Sequence, residues 1–235
     1  MTGHDDDDYS GTFASPPCFM HEVDPAYTGA SDADDRGQRN DVMRWRKAER
    51  MRLMDKRLSI GPEARRRYDE RIAEQLEAAI GCIDGLVVGG YRPLPGEPNL
   101  HPFLKGVVAH GGACALPVVI APDRPLVFRL CSPDEPLARC MEQPVSQVDA
   151  LTVIPDVILA PVIGFDRACH RLGYGGGFYD RTLAAKSKPS RNFGVSYMLA
   201  VIPTIYPQWY DIPLDAVITE DGVVTPLSNT RDGTA

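Results

Sequence analysis

The run Val157-Ile158-Leu159-Ala160-Pro161-Val162 is apolar without alternation, so both faces of the strand it forms must be buried. Such a strand belongs inside a parallel sheet with helices on each side. Four glycines within five residues follow (Gly173, Gly175, Gly176 and Gly177), and a helix is expected from Phe178 to about 186. A buried strand, a polar loop, a glycine-rich turn and a helix start form one α/β unit.

The remaining chain repeats this alternation. Asp41 can cap a strongly basic helix running to about Leu58, which holds Arg44, Arg46, Lys47, Arg50, Arg52, Lys56 and Arg57; a solvated face would account for most of those charges. Gly61-Pro62-Glu63 opens a second helix that Gly81 closes, with Tyr68, Ile72, Leu76 and Ile80 on one face. Strands are expected near 86–90, 114–120, 126–130, 193–197 and 216–219, with a helix between the first two. The fold class expected is α/β, a single three-layer α/β/α domain over residues 41–228 with a mostly parallel sheet. An irregular acidic leader (1–40) precedes it and a short tail (229–235) follows.

Length and composition agree with that. The chain has 235 residues, 43% of them apolar and 24% charged, which excludes collagen, coiled-coil and wholly disordered classes. No apolar run approaches the roughly 18 residues of a membrane span. The first residues lack the basic start and apolar stretch of a signal peptide, so a cytoplasmic location is expected. Residues 1–41 hold ten acidic residues against two arginines, a charge of −8, and the remaining chain carries +1. No basic footprint for duplex nucleic acid is present. In the leader, only the apolar patch at 14–20 looks able to dock on the domain. Six cysteines occur without a C-x-x-C pair, so reduced, mostly buried thiols are expected rather than a disulfide framework or a zinc site.

Glycines without Cβ atoms let backbone N–H groups approach a ligand, and a helix start adds positive potential, an arrangement suited to phosphate. A tight turn needing positive φ would also call for them. The spacing is not that of known phosphate loops. A Rossmann G-x-G-x-x-G from Gly173 would need glycine at 178, where Phe178 stands, and Phe178-Tyr179-Asp180 does not fit a P-loop. A nicotinamide-dependent oxidoreductase is thereby excluded. Arg171 and Arg181 flank the loop as possible phosphate partners, and Asp180 could hold magnesium or complement the helix dipole.

The segment Phe165-Asp166-x-x-Cys169-x-Arg171-Leu172-Gly173-Tyr174-Gly175-Gly176-Gly177-Phe178-Tyr179-Asp180-Arg181 resembles the signature of the 5-formyltetrahydrofolate cyclo-ligase family. The likeness extends over about residues 42–225. It takes in the basic first helix, Tyr91-x-Pro93-x-x-x-Glu97 and Tyr210-Asp211-Ile212-Pro213-Leu214-Asp215. It implies an ATP- and magnesium-dependent ligase that converts 5-formyltetrahydrofolate to 5,10-methenyltetrahydrofolate. In that reading, Arg171, Leu172, Gly173, Tyr174, Gly175, Gly176, Gly177, Phe178 and Tyr179 cradle the ATP phosphates. Arg171 and Tyr179 act at the reacting group, and Arg46, Lys47 and Arg50 are the first-helix candidates for the triphosphate. Arg92, Glu97, Tyr174 and Phe178 contact the folate, and Asp180 and Asp211 hold the magnesium. Asp180→Asn should then cost turnover and little stability. No partner beyond ATP and the folate is expected, neither nucleic acid nor membrane, and the chain should be a monomer or weak homodimer. Cys169 stands where the family usually has glycine, and Tyr210 where it has histidine. The alternative is a non-catalytic paralogue that binds nucleotide, folate or RNA on the same fold.

Overall fold

The computed structural model describes residues 33–134 and 152–226. The leader up to residue 32, with its patch at 14–20, and the tail from 227 lie outside the described residues. Helix α1 (Ala33–Leu58) starts ahead of Asp41, since no proline between 33 and 41 forbids helical backbone there. Then come α2 (Pro62–Ile80), β1 (Val87–Gly89), α3 (His101–Ala109), β2 (Ala113–Val118), β3 (Val127–Leu130), β4 (Thr152–Val153), β5 (Val157–Pro161), β6 (Gly164–Phe165), β7 (Arg171–Leu172), α4 (Phe178–Ala184), β8 (Arg191–Val195), β9 (Ala216–Thr219) and β10 (Gly222–Val224). The short β4, β6, β7 and β10 escape a sequence reading because two or three residues carry no period.

Eight strands form one sheet in the order β10-β9-β8-β5-β1-β2-β3-β4. The five from β9 to β2 run parallel, and β10, β3 and β4 add antiparallel edges. Strand β5 lies in the middle and is buried throughout. Val157 and Leu159 pack with Ile72, Leu76, Phe103 and Val107 of α2 and α3 on one face. Ile158 and Ala160 pack with Phe178, Tyr179 and Leu183 of α4 on the other. The unalternating run therefore reads out a three-layer sandwich. A third cluster seats Leu53 of α1 on Ile163, Leu172, Ile202 and Ile205. It fixes α1 across the loops at one edge of the sheet.

Interior packing leaves no room at Gly194 in β8. A Cβ there would lie 2.8 Å from Leu214 Cδ1 and 2.9 Å from Val162 Cγ2. Gly194→Ala is expected to cost about 1–3 kcal/mol by overpacking, read as a lower midpoint in urea; an unchanged midpoint would show that the neighbours yield freely.

Cys114 and Cys169 are buried free thiols and Cys82 is an exposed one. Cys131 departs from the expectation of reduced thiols: it is disulfide-bonded, with its partner outside the described residues. A disulfide needs only Cα atoms within about 7 Å in space, which sequence spacing does not reveal.

The order in which strands are added across the sheet reverses between β1 and β5. From β1 the sheet grows toward β2, and from β5 it grows toward β8 and β9. The two strands are adjacent and parallel, so the segments leaving their carboxyl ends emerge side by side. In open α/β sheets this switch point is where ligands bind.

Candidate active site at the sheet switch point

Four segments meet there. The loop after β1 carries Arg92 and Glu97. The β6–β7 hairpin and the glycine-rich turn follow β5. The connection from β8 to β9 carries Asp211. Helix α1 lies across all three.

On α1, Arg46, Arg50, Leu53 and Arg57 recur at intervals of four, three and four residues, which places them on one face. That face turns inward. Arg46 and Arg57 are buried, and the Arg50 Nε donates to the Gly173 carbonyl at 2.6 Å. Lys47 is exposed. The solvated face expected for most of these charges holds for Arg44, Lys47, Arg52 and Lys56, four of the seven, and does not extend to Arg46, Arg50 and Arg57. Guanidinium groups are tolerated inside when loop carbonyls and carboxylates accept from them, and those partners are 117 to 165 positions away.

The donors of Arg46 are engaged. Its Nε and Nη2 donate to the carbonyls of Ile205 and Tyr206 at 3.0 and 2.9 Å, and the guanidinium pairs with both carboxylate oxygens of Asp211. The second oxygen of Asp211 also accepts the Gln208 N–H. Arg46 therefore pins the 205–211 segment. Asp180, in the first turn of α4, accepts from Arg171 at 2.6 Å and from the Ile212 N–H at 3.1 Å. Since Ile212 follows Asp211, the fold brings together two carboxylates 31 positions apart. Burial pushes the Asp180 carboxyl above its ordinary range, and Arg171 opposes that shift.

Both acids fit a hard cation in part. Each Asp180 oxygen takes a single hydrogen bond and keeps a free lone pair, whereas Asp211 is more fully engaged by Arg46 and Gln208. Among the described residues no cluster of three or more His, Cys, Asp or Glu forms a metal site. An ion held here would draw on Asp180 first, on Asp211, and on oxygens of a ligand. That matches the few protein ligands magnesium takes.

Glu97 is deeply buried. Its Oε2 accepts the Leu94 N–H at 2.7 Å, and its Oε1 accepts the Tyr174 hydroxyl of the glycine-rich turn. Arg57 Nη2 donates to the same hydroxyl at 3.0 Å. Around them, the hydroxyls of Tyr91 and Tyr179, Arg57 Nε and Nη1, and Arg171 Nη1 are buried without hydrogen-bond partners among the described residues. The Glu97 charge acts on both Tyr91 and Tyr179, so these groups lie near one another. Leaving such groups unmet costs about 1–3 kcal/mol each, a cost that polar atoms seated among them would remove. Phe178 and Tyr179 are buried and Arg92 is half-buried. The sequence reading missed Arg57 and Tyr91; the stripe on α1 and the tyrosine directly after the first glycine pair were the available signals.

The glycines divide by role. Gly175 (φ 105°) and Gly177 (φ 63°) need positive φ, while Gly176 does not. Arg181, expected on phosphate, instead donates to the carbonyls of Gly176 and Pro122, both at 2.7 Å. It braces the turn. In the hairpin before it, Asp166 Oδ1 accepts the N–H groups of Ala168 and His170 at 3.0 and 3.1 Å, and Cys169 takes φ 60°. The position usually held by glycine thus keeps a left-handed backbone here with a side chain on it. Burial pushes the Cys169 thiol up to about 11, which leaves it no nucleophilic role.

Burial also holds the Glu97 carboxyl above its ordinary value of 4.5, against the lowering by Tyr174, Leu94 and Arg57. The folded chain then binds more protons than the unfolded one from about pH 4.5 upward, so this group contributes stability that is lost as pH rises through its folded value. Glu97→Gln is expected to flatten the fall in unfolding free energy as pH rises above about 4.5. An identical slope in both proteins, measured by urea titration, would refute the raised carboxyl.

A model of the 5-formyltetrahydrofolate cyclo-ligase family matches residues 42–220. The chain is 25% identical over 181 residues to the 5-formyltetrahydrofolate cyclo-ligase of Escherichia coli K12, covering 73% of this chain and 98% of that protein. To the cyclo-ligase of Mycolicibacterium smegmatis it is 30% identical over 169 residues, covering 66% and 87%. Its fold is similar to that of 5,10-methenyltetrahydrofolate synthetase from Aquifex aeolicus, with a TM-score of 0.62, 27% identity, and coverage of 81% and 95%. With a matching family model over three quarters of its length and relatives covered almost end to end, the chain belongs to the 5-formyltetrahydrofolate cyclo-ligase family.

Proposed function

We propose that the protein cyclises 5-formyltetrahydrofolate to 5,10-methenyltetrahydrofolate, with ATP and magnesium, releasing ADP and phosphate. The observation that carries this reading is the Tyr174–Glu97 contact, which joins the glycine-rich turn and the β1 loop in one buried polar space. Two ligands that must react with each other need such a shared space.

The chemistry asks for positioning and charge stabilisation. A formamide oxygen leaves poorly. Its attack on the γ-phosphorus expels ADP and gives an imidate phosphate with an electrophilic carbon. Attack by N10 closes the five-membered ring, N10 loses its proton, and phosphate departs. No side-chain nucleophile is needed, which agrees with the inert Cys169. Backbone N–H groups of the turn and the charge of Arg50 and Arg171 suit the phosphates, with Lys47 at the exposed rim. Glu97, flanked by Tyr91, Tyr174, Phe178 and Arg92, suits the N–H groups of a pterin. A magnesium ion at Asp180 and Asp211 would supply charge neutralisation to the transferring phosphoryl group.

Absorbance of the methenyl product formed from 5-formyltetrahydrofolate tests this directly. Turnover should require ATP, stop on chelation of magnesium, and release one ADP per product. Tight binding of nucleotide or folate with no product would replace the enzyme reading by a binding one.

A further inference from the structure

One arginine in the site is matched to no ligand and no carboxylate partner at hydrogen-bond distance. Arg57 ends the inward stripe of α1 and is 3% exposed. Its Nη2 donates to the Tyr174 hydroxyl, and its Nε and Nη1 are buried without partners among the described residues. Arg65 of α2 donates from Nη2 to the carbonyls of Arg57 and Ile60 at 3.1 and 3.3 Å, which fixes the last turn of α1. The loop that carries Glu97 fits closely against Arg57. Gly96 has φ 83°, and a Cβ there would lie 3.2 Å from Arg57 Nε. This glycine is needed both for its backbone angle and for the approach of the guanidinium.

Hydrogen-bond direction then follows from donor count. An arginine can only donate, so the Tyr174 oxygen spends a lone pair on Arg57. Its single proton goes to Glu97 Oε1. The chain runs one way, from α1 through the glycine-rich turn to the β1 loop. We propose that Arg57 is a positioning residue for the pterin contact: by donating to the Tyr174 oxygen it aims the phenol proton at Glu97 and clamps the glycine-rich turn onto the loop that carries Glu97. Specificity on the folate side is thereby tied to the turn on the phosphate side. This rests on the cyclo-ligase reading above.

The groups facing Glu97 are Arg57 of α1, Tyr91 and the Leu94 N–H of its own loop, Tyr174 of the turn and Tyr179 of α4. Arg57 is the cation whose charge lowers the Glu97 carboxyl. Its removal should move the acid limb of kcat/KM for the folate to higher pH, by about one unit for the loss of a neighbouring opposite charge. A merely structural arginine would raise both KM values alike, and a rise confined to the folate separates the two roles.

The test compares the unaltered protein with Arg57→Met, Arg57→Lys, Tyr174→Phe and the double variant Arg57→Met/Tyr174→Phe, assayed for methenyl product across pH. We expect KM for 5-formyltetrahydrofolate to rise about tenfold in Arg57→Met and Tyr174→Phe, with KM for ATP changed less than threefold. Lysine should restore part of the loss. The double variant should be no worse than the poorer single one, because both changes cut the same chain. Should Arg57→Met fail to fold, Tyr174→Phe removes the aimed proton alone and must still raise KM for the folate. An unmoved acid limb, fully additive losses, or equal rises in both KM values would overturn the proposal. Absence of turnover in the unaltered protein would overturn the cyclo-ligase reading, and this proposal with it.

Discussion

Asp180→Asn is expected to lower turnover by about 100-fold or more while lowering stability by about 1–3 kcal/mol. The first figure is what removal of a cation's anchoring carboxylate takes from a phosphoryl transfer, where the ion contributes several kcal/mol. The second revises the expectation that stability would stay intact. Sequence alone shows an acid in the first turn of a helix. The structure shows it paired with Arg171, whose side chain is 4% exposed, and accepting the Ile212 N–H. Asparagine keeps an oxygen for one of these donors and loses the charge that balances the buried guanidinium, so a charge-assisted hydrogen bond is weakened. Relief of the cost of burying the Asp180 charge offsets part of that. Steady-state rates with saturating ATP and a urea titration check the two halves separately. Turnover within threefold of the unaltered protein would remove Asp180 from the metal site.

The glycine-rich turn gives the second large effect, through a contrast between neighbours. Gly175→Ala is expected to lower nucleotide affinity and stability together, because φ 105° is a conformation alanine reaches only at a strain of about 1–3 kcal/mol. Gly176 is not in the positive-φ region, so alanine is tolerated there by the backbone. Its added methyl would intrude on a phosphate lying against the turn. Gly176→Ala should therefore weaken ATP binding about tenfold or more with an unchanged melting temperature. Calorimetric titration with ATP and magnesium, alongside a thermal scan, separates the two variants. Equal nucleotide affinity in Gly176→Ala and the unaltered protein would show that the turn is a structural device and the phosphates sit elsewhere.

Much of this molecule was legible in its residues. The unalternating run at 157–162 dictated a central strand covered on both faces, because a residue series without a polar side cannot meet water on either. Pro62 and Gly81 marked the ends of α2 because one lacks an N–H and the other tolerates the closing angle. The glycines of the turn marked the loop that follows the central strand at the sheet's switch point. Other features needed the folded chain. The start of α1 at Ala33 went unread because an N-cap residue permits a start without forbidding an earlier one. The register of α1 was open because seven basic residues there share one chemistry. Only the carbonyls of Ile205, Tyr206 and Gly173, the Asp211 carboxylate and the Tyr174 hydroxyl select Arg46, Arg50 and Arg57 from among them. The disulfide at Cys131 and the pairing of Asp180 with Arg171 are likewise matters of distance in space. Local pattern sets which elements form and which faces they bury, since those depend on period and backbone angle. Which charge meets which partner depends on contacts between distant segments, and so only the tertiary structure decides it.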